Sequence, residues 1–287
     1  MRLSNFLQEI YIPSRLELSA GTIRQIQVAI TLFSRWLGRS ASLTDLDENT
    51  IRQFLTAYRV DRAAATTNSR RRDLLALWQC AYDEDMFDRP PRRKRIRRAK
   101  ESPRIPEAWT SGEVGRILEA IADEPGEVSG WPASIWWRSL ILVLYDTGER
   151  RGAVMAASPQ DLSLAGCWIV FRHTKTGRPR WCPLHADTIV ACQEIFDPGR
   201  ERLWPWAFSD CWLSKSFKRI LDRAKVAHGW KRGGVFHKLR RTTGSLVEQA
   251  GGDGAKHIGN TRAVFERHYR DPRFFSSQLD RLPRPTF

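Results

Sequence analysis

Near its C-terminal end the chain reads HIGNTRAVFERHYRDP, with one phenol, Tyr269, between His268 and Arg270. Three earlier runs also concentrate side chains suited to an anion: TGERRG with Arg150, TKTGR with Lys175, and HKLRRT with His237 and Arg240. Arginine's planar fork matches phosphate oxygens two at a time, which a lysine point charge does not. A phenol becomes a nucleophile only when a neighbouring base or field removes its proton. Each residue also has a plainer use. A helical tyrosine is usually half-buried packing, and Arg150 alone would suit a helix C-terminus and its dipole. Lys175 alone is a solvated hairpin lysine, and His237 alone a satisfied core histidine. Only their arrangement can decide.

The whole composition favours an anionic partner. Lys and Arg number 47 against 32 acids, a formal charge of +15 over 287 residues. Such an excess attracts polyanions at long range. No basic amphipathic helix with an anchoring aromatic face argues for a lipid surface, so nucleic acid is the expected partner and a membrane is not. The N-terminal MRLSNFLQEI lacks a signal-peptide core, and no apolar run is long enough to cross a bilayer. Cys80, Cys167, Cys182, Cys192 and Cys211 are odd in number and never spaced as CxxC, which suits reduced thiols in a cytoplasmic chain. Neither they nor the carboxylates form a convincing metal set, so no metal and no cofactor are expected.

These side chains need elements to hold them. Ile23, Ile26, Ile30, Phe33 and Leu37 recur at helical spacing, as do Ile51, Phe54, Leu55 and Tyr58 behind a cap at Asp47 or Asn49. In TTNSRRRDLLALWQCAYDEDMF the polar residues read as caps, which places Arg70, Arg71 and Arg72 at a helix opening, available to phosphate. DRPPRRKRIRRAKESPRIPEAW cannot continue a helix or a central strand. It reads as an extended basic linker whose Arg92, Arg93, Lys94 and Arg95 follow a nucleic-acid backbone. Thr110 and Glu113 have capping-box spacing, and ASIWWRSLILVLYDTG is apolar nearly all round, a core helix halting at Gly148. The period then changes in CWIVFRHTKTGRPRWCPL to two strand-like runs around a TGRP turn. From DCWLSKSFKRILDRAKV onward it is helical again, with Leu213, Phe217, Ile220 and Leu221 on one face. The predicted fold is mainly α with a small antiparallel β-hairpin: a helical domain (1–88), a Pro/Arg-rich linker (89–104), and an α+β domain with a C-terminal tail (105–287). Trp36, Trp78, Trp136 and Trp137 fall where core is expected.

In this order and with these gaps, TGERRG, TKTGR, HKLRRT and HIGNTRAVFERHY resemble the tyrosine recombinases, the phage-integrase family. The resemblance spans essentially the whole chain. It implies a SAM-like core-binding DNA-binding domain at the N-terminus and a catalytic domain after it. It also implies roles: Arg150 and Arg240 as phosphate-binding arginines, Lys175 as the hairpin acid, His237 as base, Tyr269 as nucleophile, and Asp161 as the acidic residue ahead of the hairpin. Arg151 is the register alternative to Arg150, disfavoured because the family reads Thr-Gly-x-Arg. Two arginines would neutralise the oxygens that repel an incoming nucleophile and stabilise charge growing in the transition state. Free tyrosine has a pKa near 10, so activating it near neutrality takes roughly 4 kcal/mol from the cationic cluster and the base. The implied product is a 3′-phosphotyrosyl link, formed without a metal.

The pattern is broken in places. Nine residues before the tyrosine, where the family usually has His or Trp, stands Asn260, which can donate a hydrogen bond but cannot titrate. Ala153 occupies a position often acidic, three after Arg150. EQAGGDGAKHIGN is shorter than its family counterpart, and its glycines predict a turn where others have helix. His257 is out of register to replace Asn260. The implied partners are double-stranded DNA, further copies of the chain as a tetramer on two DNA sites from a monomer in solution, and accessory directionality or bending proteins. The implied setting is the bacterial nucleoid. Phe274, Phe275, Leu279 and Leu282 would either dock on a neighbouring protomer or fold back. Two other readings are a DNA-binding descendant inactivated at Asn260 and Ala153, and a type IB topoisomerase.

Overall fold

The computed structural model describes residues 1–172, 177–229 and 234–278, and the chain divides into two compact units, Met1–Pro103 and Arg104–Phe287. The first unit is helical. Helix α1 (Leu3–Phe6) runs into a π turn (Leu7–Tyr11), and α2 (Ala20–Leu37), α3 (Glu48–Arg59) and α4 (Ala64–Asp83) follow. Ser19 caps α2, and Asp47 caps α3 by accepting from the N–H groups of Asn49 and Thr50. The apolar stripes meet in one core of Phe6, Ile26, Phe33, Ile51, Phe54 and Leu74. Trp78 joins that core, but Trp36 does not: it is 37% exposed and stacks flat on Phe33.

Helix α4 begins earlier than its polar run suggests. Alanines at 63–65 favour helix, and the Thr67 and Ser69 hydroxyls bond back to the carbonyls of Ala63 and Ala65 instead of capping. The three arginines therefore lie inside the helix and diverge. Arg70 is buried, donating to the Gln25 carbonyl and side chain and lying 3.4 Å from Asp73. Arg71 donates to the carbonyls of Ile96 and Arg93. Arg72 projects outward, its side chain 68% exposed.

The basic run after α4 has neither helix nor strand, as its prolines require, yet it is not a free tether. Ile96 is 1% exposed in the first unit's core, and Asn68 ties both the N–H and the carbonyl of Ala99. Backbone groups that prolines keep out of a ladder are met here by side chains of α4. The first unit accordingly runs to Pro103.

The second unit surrounds a different core. Helix α5 (Ser111–Ala122), with the Thr110–Glu113 capping box in place, packs on α6 (Ala133–Thr147), which follows the short β1 (Glu127–Val128) and β2 (Trp131–Pro132). Trp136, Trp137 and Leu140 on α6 are at most 1% exposed. Gly148 ends α6 at φ +55°, and a Cβ there would meet Ile258 Cγ2 at 2.7 Å, so both conformation and space demand glycine. A one-turn helix α7 (Arg151–Val154) leads into a three-stranded antiparallel sheet, β3 (Leu162–Ser163), β4 (Trp168–Phe171) and β5 (Arg180–Pro183), with Ile169 opposite Cys182. The hairpin is the predicted one; β3, at two residues, carries no period to read.

Helices α8 (Ala186–Gln193), α9 (Asp210–Arg223) and α10 (Val235–Gln249) complete the core. The glycine-rich stretch then turns as expected: Gly251 takes φ +88°, and Asp253 caps the single turn α11 (Gly254–His257). Gly254 lies so close to the Gly244 carbonyl that no Cβ fits between α11 and α10. Helix α12 (Arg262–His268) carries the chain to Tyr269 and a 3₁₀ segment, Pro272–Gln278. Phe275 is buried beneath the Arg270 guanidinium, 3.8 Å from its ring centre, so this part folds back on its own chain. Leu279 and Leu282 lie outside the described residues.

Candidate active site

Three chain breaks converge on one spot. The left-handed Gly148 halts α6 and hands the backbone to Glu149 and Arg150; the first turns of α10 present His237 and Arg240; and the end of α12 delivers Tyr269. The Tyr269 hydroxyl lies 3.0 Å from His237 Nε2, and the Arg240 guanidinium stands 5.3 Å from the centre of the tyrosine ring. Arg240 Nη1 and Arg150 Nη1 lie 3.6 and 3.9 Å from one oxygen, Glu149 Oε1. Arg240 is 1% exposed and donates to the carbonyls of Gly148 and Ile258, whereas the Arg150 side chain is 29% exposed. One guanidinium forms the floor and the other opens to solvent.

Arg151 goes elsewhere. It pairs with Asp210 at 2.6 Å and lies over the Phe236 ring. Of the two adjacent arginines, Arg150 is therefore the one that faces Tyr269's surroundings. Asp161 sits apart as well, accepting from the Ser158 N–H and hydroxyl and pairing with Arg172 at 2.7 Å.

The electrostatics favour a neutral imidazole. Burial, followed by the charges of Arg241, Arg240, Arg150 and His268, lowers the His237 pKa to about 4. In its Nδ1–H tautomer, His237 Nε2 accepts the tyrosine's hydrogen bond, the geometry a base needs. Burial also pushes the Arg240 guanidinium below its ordinary value, with Glu149 opposing the shift. At this site two buried donors have no partner among the described residues, Arg240 Nε and Asn260 Nδ2. Unmet donors are costly, and both would be satisfied by an acceptor-rich anion. Asn260 stands two residues after Ile258, whose carbonyl Arg240 holds.

The tyrosine itself is firmly seated. Ser245 donates to its carbonyl, and Asp271, fully buried two residues on, accepts from the Ala108 N–H and pairs with Arg273 at 2.6 Å. Glu248 on α10 clamps α12 by binding Arg262 at 2.6 Å and Arg270 at 3.0 Å. Lys175 lies outside the described residues. Among the described residues, no group of three or more His, Cys, Asp or Glu side chains could hold a metal ion, and no helix is long and apolar enough to cross a membrane.

No family model matches the chain. Tyrosine recombinase XerD of Ralstonia nicotianae is 26% identical over 187 residues, 65% of this chain and 58% of that protein. A lambda integrase tetramer bound to a Holliday junction superposes with a TM-score of 0.71 at 22% identity, covering 99% of this chain and 80% of that one. The chain is thus similar in sequence to a tyrosine recombinase over about two thirds of its length, and it shares the fold of lambda integrase over nearly all of it. XerH site-specific recombinase, in a post-cleavage complex with a palindromic difH substrate, shares the fold at a TM-score of 0.67 and 21% identity. The match to XerD spans little more than half of that relative's length.

Beside the motif residues, reading by sequence missed two. Glu149 is the unspecified position of Thr-Gly-x-Arg, yet it is 3% exposed and accepts from Arg180 at 2.7 Å. Arg180, on β5, also donates to the carbonyls of Thr147 and His257. Glu149 sits beside a motif arginine, but spacing alone does not reveal that a carboxylate is buried. Arg180 carries no signal at all in a chain so rich in arginine.

In the first unit, Arg92, Arg93, Lys94 and Arg95 are exposed, and Arg92 and Arg95 lie 3.8 and 3.2 Å from Glu48. A cleft of about 760 Å³ beside them is lined by Arg52, Arg59, Arg71, Lys94, Arg95 and Arg97. Arg70, turned inward, is not part of it.

Proposed function

We propose that the chain is a site-specific DNA recombinase that cuts and rejoins strands through Tyr269 of the same chain. The observation that carries the reading is the Tyr269 hydroxyl held 3.0 Å from His237 Nε2, with its ring beside Arg240, which shares one carboxylate with Arg150. A scissile phosphate seated over Arg150 would take hydrogen bonds from Arg150, Arg240 and Asn260. As the phenol's proton passes to His237 Nε2, the oxygen attacks phosphorus. The P–O5′ bond breaks, Lys175 protonates the departing 5′ oxygen, and a 3′-phosphotyrosyl link remains. A 5′ hydroxyl from another strand reverses the step, which preserves the bond energy for strand exchange through a Holliday junction.

The surface formed by half-buried Arg71 and exposed Arg72 and Arg92 to Arg95 would hold the duplex backbone, with Arg70 bracing α4. The relative solved as a tetramer on a Holliday junction supports assembly of this chain into a tetramer on two duplexes, from a monomer free in solution. Reaction in the cytoplasm on nucleoid DNA follows from that substrate. Accessory proteins that set direction belong to the same reading.

The test is a suicide DNA site, built from the sequence flanking the chain's gene and resolved on a denaturing gel. The intact protein should form a covalent adduct, while Tyr269→Phe should bind the same DNA and form none. No adduct with the intact protein would mark a binding-only descendant. Relaxation of plasmid that lacks the site would mark a topoisomerase.

A further inference from the structure

Glu149 and Arg180 have no part in the proposed chemistry, yet they tie its parts together. Glu149 Oε1 accepts the Arg150 N–H at 2.6 Å and faces the guanidinium groups of both Arg150 and Arg240. Its other oxygen accepts from Arg180 Nη1 at 2.7 Å. Arg180 Nη2 then reaches the Thr147 carbonyl at 2.9 Å and the His257 carbonyl. One buried carboxylate and one arginine thus join the end of α6, both phosphate-facing arginines, and the α11 turn leading to Asn260.

The charges require each other. A buried carboxylate without partners is strongly disfavoured, and three guanidinium groups around an empty space would repel one another. Among the described residues, Glu149 is the ion partner of Arg150. Donors that stabilise a growing charge are effective only when fixed before the reaction begins. A carboxylate one residue before Arg150 can supply that fixation where Ala153, three residues after it, cannot.

Resting on the proposed cleavage reaction, we infer that Glu149, clasped by Arg180, is a positioning residue that presets Arg150, Arg240 and the Asn260 turn for the scissile phosphate. It touches no reacting atom. Its removal has two effects of opposite sign. The cluster becomes more cationic, which strengthens its attraction for DNA, and its guanidinium groups lose their set geometry, which slows cleavage.

The experiment compares the full-length protein with Glu149→Gln, Glu149→Asp and Arg180→Lys. Affinity for a plain duplex, single-turnover adduct formation on the suicide site, and the ¹⁵N resonances of the Arg240 guanidinium are measured. Glu149→Gln should bind DNA at least as tightly as the parent but form adduct at least tenfold more slowly. A methylphosphonate at the scissile position, with no charge to neutralise, should narrow that gap. Glu149→Asp, which keeps the charge, should fall between the two. Hindered rotation should resolve the Arg240 Nη signals in the parent and average them in Glu149→Gln. Equal cleavage with unchanged Arg240 signals overturns the inference, as does a parallel fall in binding, cleavage and melting temperature. If the parent forms no adduct, the recombinase reading fails, and the guanidinium signals still decide whether Glu149 positions Arg240.

Discussion

Acidification should charge His237 far later than an ordinary histidine. Burial and the surrounding arginines place its pKa at about 4, against 6.5 when solvated. The native state therefore binds fewer protons than the unfolded chain between those values, so stability falls as pH drops from 6.5 to about 4 and gains no slope above 6.5. At about 1.4 kcal/mol per pH unit, the gap amounts to about 3 kcal/mol. His257 and His268 shift in the same direction, both mainly through burial, so the total loss in this window exceeds the His237 share. Asp45, held at about 2 chiefly by Arg39, loses its contribution at lower pH. The assay is an NMR titration of the His237 ring from pH 7.5 to 3.5, with denaturant unfolding of the parent and of His237→Gln at each pH. The difference between the two proteins should fall by about 3 kcal/mol across the window. The acid limb of kcat/KM for cleavage should lie near pH 4. A ring that titrates near 6.5, or a stability difference flat with pH, would refute the reasoning that the imidazole is kept neutral for the phenol.

Replacing Gly254 by Ala should cost the second unit about 2 kcal/mol or more, because the new methyl meets the Gly244 carbonyl, which is backbone and cannot step aside. Gly251→Ala, strained at φ +88° but with open space around it, should cost only about 1 kcal/mol, and thermal melts would compare the two. Tyr269→Phe should lower stability by about 1 kcal/mol through the lost His237 hydrogen bond, far less than its complete loss of adduct. Duplex binding should weaken steeply with salt: with about ten phosphate contacts, log K falls by roughly nine per decade of salt, measurable by fluorescence anisotropy.

The motif residues were legible because their chemistry is local to short runs. Thr-Gly-x-Arg needs a left-handed glycine to end α6 and turn the next residues, and HxxR places His237 and Arg240 on one face of a helix turn. The apolar stripes of α2, α3 and α9 were equally plain, since helical burial repeats along the chain. Asn260 stood out by its position in the motif, and the glycine-rich turn before it by composition. What the sequence alone determined was therefore the inventory: two mainly helical units, a basic surface, and a set of side chains whose types suit a phosphate.

Tertiary structure decided what each charge does. Arg70, Arg71 and Arg72 are indistinguishable as letters, yet successive helix positions point about 100° apart, so one is buried, one holds the basic run and one meets solvent. Arg150 and Arg151 separate because Arg150 is still extended ahead of α7 while Arg151 opens that helix, so one turns toward Glu149 and the other toward Asp210. Glu149 and Arg180 became part of the site only when α6, β5 and α11 were brought together. Burial and distance are properties of contacts between segments far apart in the chain, and no local spacing encodes them.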